Sequence, residues 1–262
     1  MGSSAIQSTE TPQVTGVRPV KSAERTIAVL EYLSTADRPR SLREVSSDLG
    51  IPRASAYALL TTLVRSGWVD PDISNTGYLL GIRALRMGAS YVEHDGVVRR
   101  AQPVMNEIAQ EWGETVHLAR LDGDEIVYLA TCISRHSLAV VSRPGRRLAC
   151  WGTGLGKALL AARPWEDVEA LLPPILTART PYTLTDRAAL RAELERVGER
   201  GHAIDEQEST VGLRCFAVAL DFGGGVAPKE ALSFSVPIVR LDPDRERRLV
   251  AALLEARDRI VR

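Results

Sequence analysis

Between Leu42 and Leu63 apolar residues return every three or four positions, with one interruption. Leu42, Val45 and Leu49 mark one face of a short helix; Ala56, Leu59, Leu60 and Leu63 mark the face of a second. Ser41, with Glu44 three residues on, is a capping-box pair and sets the start of the first helix. Gly50 is placed to end it, because glycine takes a left-handed backbone without a Cβ clash. Pro52 suits the first turn of the next helix, where its missing N–H costs nothing. Arg53, Ser55, Tyr57, Thr61 and Arg65 are left on the outer side. Residues 68–70 and 77–80 then read as short strands around the turn formers of 71–76. Helix, turn, helix and hairpin is the plan of a winged helix-turn-helix, whose second helix enters a major groove. The helix pair alone also suits an ordinary helical domain; the hairpin favours the winged module.

The flanking pattern extends this. Residues 21–35 form a first helix, with Ser22 as its cap and Ala23, Ile27, Leu30 and Leu33 as its buried stripe. Residues 81–93 form another, in which Ile82, Leu85, Ala89 and Val92 step by three and four. That seam either packs on its own domain or meets a partner chain. His94-Asp95-Gly96 breaks it. After an amphipathic helix over 97–113 the period changes to two. Residues 115–121 and 125–133 are strands around Asp122-Gly123, and 138–142 and 147–150 are a second pair around Pro144-Gly145. Helices follow from Thr153, over 165–172, and over 185–200 with Thr185 as cap. Strands over 202–207, 213–221 and 230–238 and a helix over 242–261 complete the chain. The expected fold class is α+β with one antiparallel sheet in the second domain. Residues 1–18 are expected as a disordered tail, 19–81 as the winged domain, 82–96 as a linker helix and 97–262 as a second domain.

Composition narrows the functions. Of 262 residues 45% are apolar, enough for two cores, while 5% are aromatic, too few for a base-stacking surface. Net charge is zero, yet residues 18–68 carry eight bases against five acids. A basic module on a neutral chain suits duplex DNA joined to a domain with another task. Three distant cysteines without a C-x-x-C spacing predict free thiols in a reducing compartment. No apolar run is long enough for a membrane span and no signal-peptide core is present, so a cytoplasmic protein is expected.

Candidate chemistry lies in the second domain. Gly152-Thr153-Gly154-Leu155-Gly156-Lys157 fails as a P-loop, because Trp151 stands where the first glycine belongs and Ala158 follows the lysine. It fails as a dinucleotide fingerprint because its glycines alternate. Two readings remain: N–H groups at a helix start open to a small anion, or close chain packing. Asp205, Glu206 and Glu208 crowd one strand end, and Cys215 reads as a small buried residue. Ser233 and Ser235 share one side of a strand. The four histidines are scattered, so no metal site or cofactor is expected.

From about Lys21 onward the chain resembles the IclR family of bacterial transcription regulators. The resemblance is carried, in order, by SAERTIAVLEYL, SLREVSSDLGIPRASAYALLTTLVRSGWV, GYLLG, GETVHLARLDGDEIVYL, SRPGRRL, TGLGKALLA, GHAIDEQE, VGLRCFAVAL and ALSFSVP. It implies a winged-helix domain, a linker helix and a C-terminal effector domain with a GAF/PAS-like sheet, in dimers or tetramers on palindromic operators. It also implies a small organic effector, often a carboxylate, held by backbone N–H groups of Gly154, Leu155 and Gly156. Asp205, Leu213, Cys215, Ser233 and Ser235 would line the remainder. Two positions depart from the family pattern. Ala58 stands where an arginine is common, and Trp151, at the expected pocket mouth, stands where a small or polar residue is usual.

The resulting expectation is a ligand-responsive regulator of double-stranded DNA, repressor or activator, that is not an enzyme. Arg53, Ser55 and Tyr57 are expected in the groove and Arg40 and Arg43 on phosphates. The effector is expected to be a carboxylate or an aromatic or sugar acid. A rival reading is a small-acid enzyme using Asp205, Glu208 and Cys215, with the N-terminal helices as an interaction module.

Overall fold

The computed structural model describes residues 18–136 and 142–262. The expected tail therefore lies outside the described residues but for Arg18, and the strand expected over 138–142 lies outside them but for Ser142. Two compact units meet at the Tyr91–Val92 junction.

The first unit contains α1 (Lys21–Ser34), α2 (Leu42–Asp48), α3 (Arg53–Arg65), β1 (Val69–Pro71) and β2 (Tyr78–Leu80); α4 (Ile82–His94) begins in it and crosses the junction. Val29, Leu33, Val45, Ile51, Ala56, Leu60, Leu63 and Val69 form its core. The Ser41 hydroxyl accepts from the Glu44 N–H at 3.3 Å, and the Glu44 carboxylate accepts from the Ser41 N–H at 2.9 Å. Gly50 turns the chain at φ +60°. Antiparallel β1 and β2 form the wing, and Asp72 holds its loop by accepting from the N–H groups of Thr76 and Gly77 at 2.7 and 2.8 Å. The first helix differs from expectation. It is entered at Val20 without a side-chain cap, and Val29 and Leu33 face the core. Leu33 and the partly buried Leu30 pack into the core as expected, whereas Ala23 and Ile27 are exposed and Val29 takes the buried position instead.

The second unit contains α5 (Gly96–Trp112), β3 (Thr115–Asp122), β4 (Glu125–Cys132), β5 (Arg147–Ala149), α6 (Gly154–Leu160), α7 (Trp165–Leu171), α8 (Arg187–Arg200), β6 (Ala203–Glu206), β7 (Leu213–Leu220), β8 (Glu230–Pro237) and α9 (Pro243–Val261). Asp186 rather than Thr185 caps α8, accepting from the Ala189 N–H at 2.8 Å. The sheet has six strands in the order β5-β4-β3-β8-β7-β6, all neighbours antiparallel.

Side chains alternate across this sheet, so each strand feeds two cores. One face is apolar throughout: Val116, Leu118, Phe216, Val218, Leu232 and Phe234 pack under α5 and α9. The other face is apolar at one end, where Ala119, Ile126, Ala217 and Ala231 meet α6 and α8. At its other end it is polar. Register places Asp205, Cys215, Ser235 and Thr115 in one row across β6, β7, β8 and β3. The next row holds Ser233, His117 and Thr131. All of these but Thr131 are buried. A polar stripe inside a sheet this well covered needs partners, and it marks the site.

Candidate functional site: a helix-turn-helix surface and a polar cleft

In the first unit α3 presents its N-terminal half to solvent. Arg53, Ala54, Tyr57 and Ala58 are exposed, Tyr57 by 58%, and Ser55 is half-buried. Arg43 on α2 is exposed as well. Arg40 is placed otherwise than expected. Its guanidinium stands 3.4 Å from Asp37 and 3.7 Å from Glu44, and lies over the Tyr32 ring. Those contacts hold it within the domain rather than extending it toward a phosphate.

In the second unit the part of the polar stripe on β6, β7 and β8 lines a narrow cleft of about 420 Å³, counting its open mouth. Gly154 and Leu155 of α6, Asp205, Leu213, Cys215, Ser233 and Ser235 all line it. Thr153 caps α6 by accepting from the Gly156 N–H at 3.0 Å. The N–H groups of Gly154 and Leu155 precede the first helical bond and have no acceptor among the described residues. The Cys215 thiol and the Ser235 hydroxyl are 3.1 Å apart. Burial pushes that thiol well above its ordinary pKa, so it stays neutral. Asp205 is raised as well, chiefly by burial. Its oxygens accept from the N–H groups of Glu208 and Ser209 at 2.7 and 3.2 Å and from the Ser209 hydroxyl at 2.5 Å. The Ser233 and Ser142 hydroxyls, both buried in the cleft wall, have no hydrogen-bond partner among the described residues.

Two expected ligand contacts stand elsewhere. Gly156 packs on the chain: a Cβ there would lie 2.0 Å from the Cys150 carbonyl oxygen, and its N–H is already bonded to Thr153. Trp151 lies outside the cleft lining. It is buried, its indole N–H donates to the Thr177 carbonyl at 3.3 Å, and it borders a separate cavity with Arg147 and Arg179. The cleft also recruits Tyr128, Ser142, Arg146 and Leu148, which sequence reasoning did not single out. The Pro144-Gly145 turn was the available signal, since it sets which side of β5 faces inward.

The rival set of catalytic residues is not poised for chemistry. Glu208 is ion-paired with the buried Lys157, and the Cys215 thiol is held neutral. A winged helix-turn-helix coupled in one chain to a domain with a small polar cleft defines a ligand-binding transcriptional regulator. Residues 22–72 match the IclR helix-turn-helix domain, and residues 89–262 match the family described as bacterial transcriptional regulator IclR C-terminal. The chain is similar to the HTH-type transcriptional regulator KdgR of Escherichia coli K12, 32% identical, covering 92% of this chain and 91% of KdgR. It is 32% identical to the HTH-type transcriptional repressor AllR of the same strain, covering 86% and 83%. It superposes on an IclR transcriptional regulator from Silicibacter sp. TM1040 with a TM-score of 0.78 and 30% identity, covering 92% and 96%. The chain belongs to the IclR family. It is a DNA-binding, effector-binding transcriptional regulator and not an enzyme. Among the described residues no helix is long and apolar enough to cross a membrane.

Proposed function

We propose that this regulator represses its target genes as a dimer or tetramer on a palindromic operator and responds to a small organic acid bound in the cleft. The observation that carries the effector reading is the buried polar row of Asp205, Cys215 and Ser235, with the unbonded Ser233 hydroxyl beside it. A buried hydroxyl without a partner costs about 1–3 kcal/mol, and a ligand oxygen removes that cost. The N–H groups of Gly154 and Leu155 add two donors at the same place. The narrowness of the cleft and its single aromatic wall, Tyr128, favour a short aliphatic acid over an aromatic or sugar acid. Repression is supported by the name of the relative AllR.

On the DNA side, Arg53 and Tyr57, with Ser55 behind them, are assigned to the groove, and Arg43 to phosphate. Effector binding shifts the population of effector-domain arrangements, and α4 conveys that shift to the spacing of paired α3 helices.

A thermal-shift screen of short carboxylic acids, run beside gel shifts on the promoter of the adjoining genes, tests this. One acid should raise the melting temperature and change operator affinity. Ser233→Ala should lose the thermal shift and keep operator binding. An equal shift in parent and variant would remove the cleft as the effector site.

A further inference from the structure

We propose that the middle of each operator half-site is read through thymine methyl groups, by the methyl face that Ala54 and Ala58 present along α3. The proposal rests on α3 being the helix that enters the major groove, and it names what that helix recognises there.

The helical turn sets which side chains of α3 lead. Successive residues are rotated by about 100°. Ala56, Leu60 and Leu63 are buried and define the core side. The direction opposite to them falls on Ala54, Ala58 and Arg65, all exposed, with Thr61 beside them half-buried. Arg53 and Tyr57 stand to one flank of this line, Ser55 and Thr62 to the other. The Thr62 hydroxyl donates to the Ala58 carbonyl at 2.8 Å, so its one hydrogen is spent inside the helix. From residue 54 to residue 58 the leading line therefore carries methyl groups and no side-chain donor or acceptor.

A methyl ridge recognises an apolar feature, and the one a base pair shows in the major groove is the C5 methyl of thymine. Residues four apart are about 6 Å apart along the helix, and base pairs rise by about 3.4 Å, so the two alanines reach thymines one or two steps apart. Side chains of a single carbon also let the helix settle until its backbone is close to the bases. That depth brings the longer Arg53 and Tyr57 on the flank to base edges. Charge fits the same occupant. The segment RASAYALLTTLVR contains no acid, and Arg53 and Arg65 stand at its two ends. An apolar centre between two cations matches thymine methyls lying between two phosphate strands.

The test removes methyl groups one at a time. The full chain first selects its operator from a randomised duplex library. Each thymine of one half-site is then replaced by deoxyuridine, which deletes the C5 methyl and keeps the base pairing. In gel-shift titrations one or two of these replacements should each weaken binding roughly fourfold, the worth of one buried methyl. A58G should lose that preference at one position and keep it at the other, and A54G the reverse. Glycine also weakens the helix, so the readout is the ratio of thymine to deoxyuridine affinity at each position, which a less stable helix leaves unchanged. A58E keeps a good helix former at an exposed position and sets a carboxylate against the bases, so it should abolish operator binding with its circular dichroism intact. Operator binding by A58E equal to the parent's would overturn the groove reading and this proposal with it. Loss of binding in A58E, with no thymine preference in the parent or with that preference unchanged in A54G and A58G, would overturn the methyl assignment alone.

Discussion

The ammonium of Lys157 on α6 is ion-paired with the carboxylate of Glu208 inside the effector domain, where the side chains are 1% and 5% exposed. Glu193 of α8 stands 3.6 Å from the same ammonium and is bonded in turn to Arg196 and Arg200. The pair thus ties the cleft helix, the β6–β7 loop and α8 together. Removing one member strands a charge in the interior. Lys157→Met should lower the stability of the effector domain by roughly 3–5 kcal/mol, the usual cost of breaking a buried pair. Replacing both members with apolar groups of similar size removes the stranded charge. The double variant Lys157→Met/Glu208→Met should therefore recover much of the loss. Urea midpoints measure both, and a double variant no more stable than the single one would contradict the account.

His117 makes a second test. It is 1% exposed, lies 3.0 Å from the Thr131 hydroxyl, and meets the Tyr128 ring edge-on. Burial, aided by the charge of Arg146, pushes its imidazole down to about 3. Between that value and the ordinary value near 6.5, the unfolded chain binds a proton that the folded chain refuses. Stability from this group is therefore complete above about pH 6.5 and is lost as pH falls toward 3. The slope should approach about 1.4 kcal/mol per pH unit. Asp205, raised by burial, contributes in the opposite sense, so the comparison must be with a His117→Gln variant. The parent should lose more stability than the variant between pH 6.5 and 4.5; parallel curves would assign the acid sensitivity elsewhere.

The contrast between local and tertiary signals explains what the sequence disclosed. Ser41 and Glu44 form their capping box because both partners lie within one helical turn. Gly50 and the wing are legible for the same reason. Ser233 and Ser235 share a face by alternation alone, and their row with Cys215 and Asp205 follows once strand register exists. Roles set by distant contacts were not readable. Trp151 turns to Thr177, far along the chain; Arg40, beside Asp37 and Glu44, and Gly156, against the Cys150 carbonyl, are set by near neighbours, through side-chain and loop geometry that no periodic pattern encodes. Arg146 was hidden because a single arginine after a turn carries no periodic signal.

On the DNA side Arg53 stands in the first turn of α3, exposed next to exposed Ala54. Among the described residues it is open to solvent, as the groove contact proposed above requires. Arg53→Ala should weaken specific operator binding by roughly 1–3 kcal/mol and relax preference at one base pair. Arg43→Ala should instead weaken binding to all sequences alike and reduce the salt dependence of affinity, as loss of a phosphate contact does. Gel-shift titrations at two salt concentrations separate the two behaviours. Unchanged operator affinity in Arg53→Ala would remove that residue from the groove.

The last prediction concerns α4, which has no buried residue over its whole length. Ile82, Leu85, Met87 and Tyr91 are 63%, 67%, 61% and 54% exposed. Ile82 and Leu85 share one face of this helix, an exposed apolar face is costly in water, and pairing with the same face of a second chain removes that cost. Ile82, Leu85, Ala89 and Val92 are spaced by three and four, as a short two-helix seam requires. A charge at Leu85 would stand opposite its own copy across a twofold axis and be repelled. Leu85→Glu should therefore shift the assembly toward a smaller species in sedimentation or light scattering. Operator affinity should fall more steeply than affinity for a half-site, since two linked reading heads bind far more tightly than one. The cleft sits wholly in the effector unit, so effector binding per chain should survive. Retention of the parent's mass and operator affinity in Leu85→Glu would show that the chains associate through another surface.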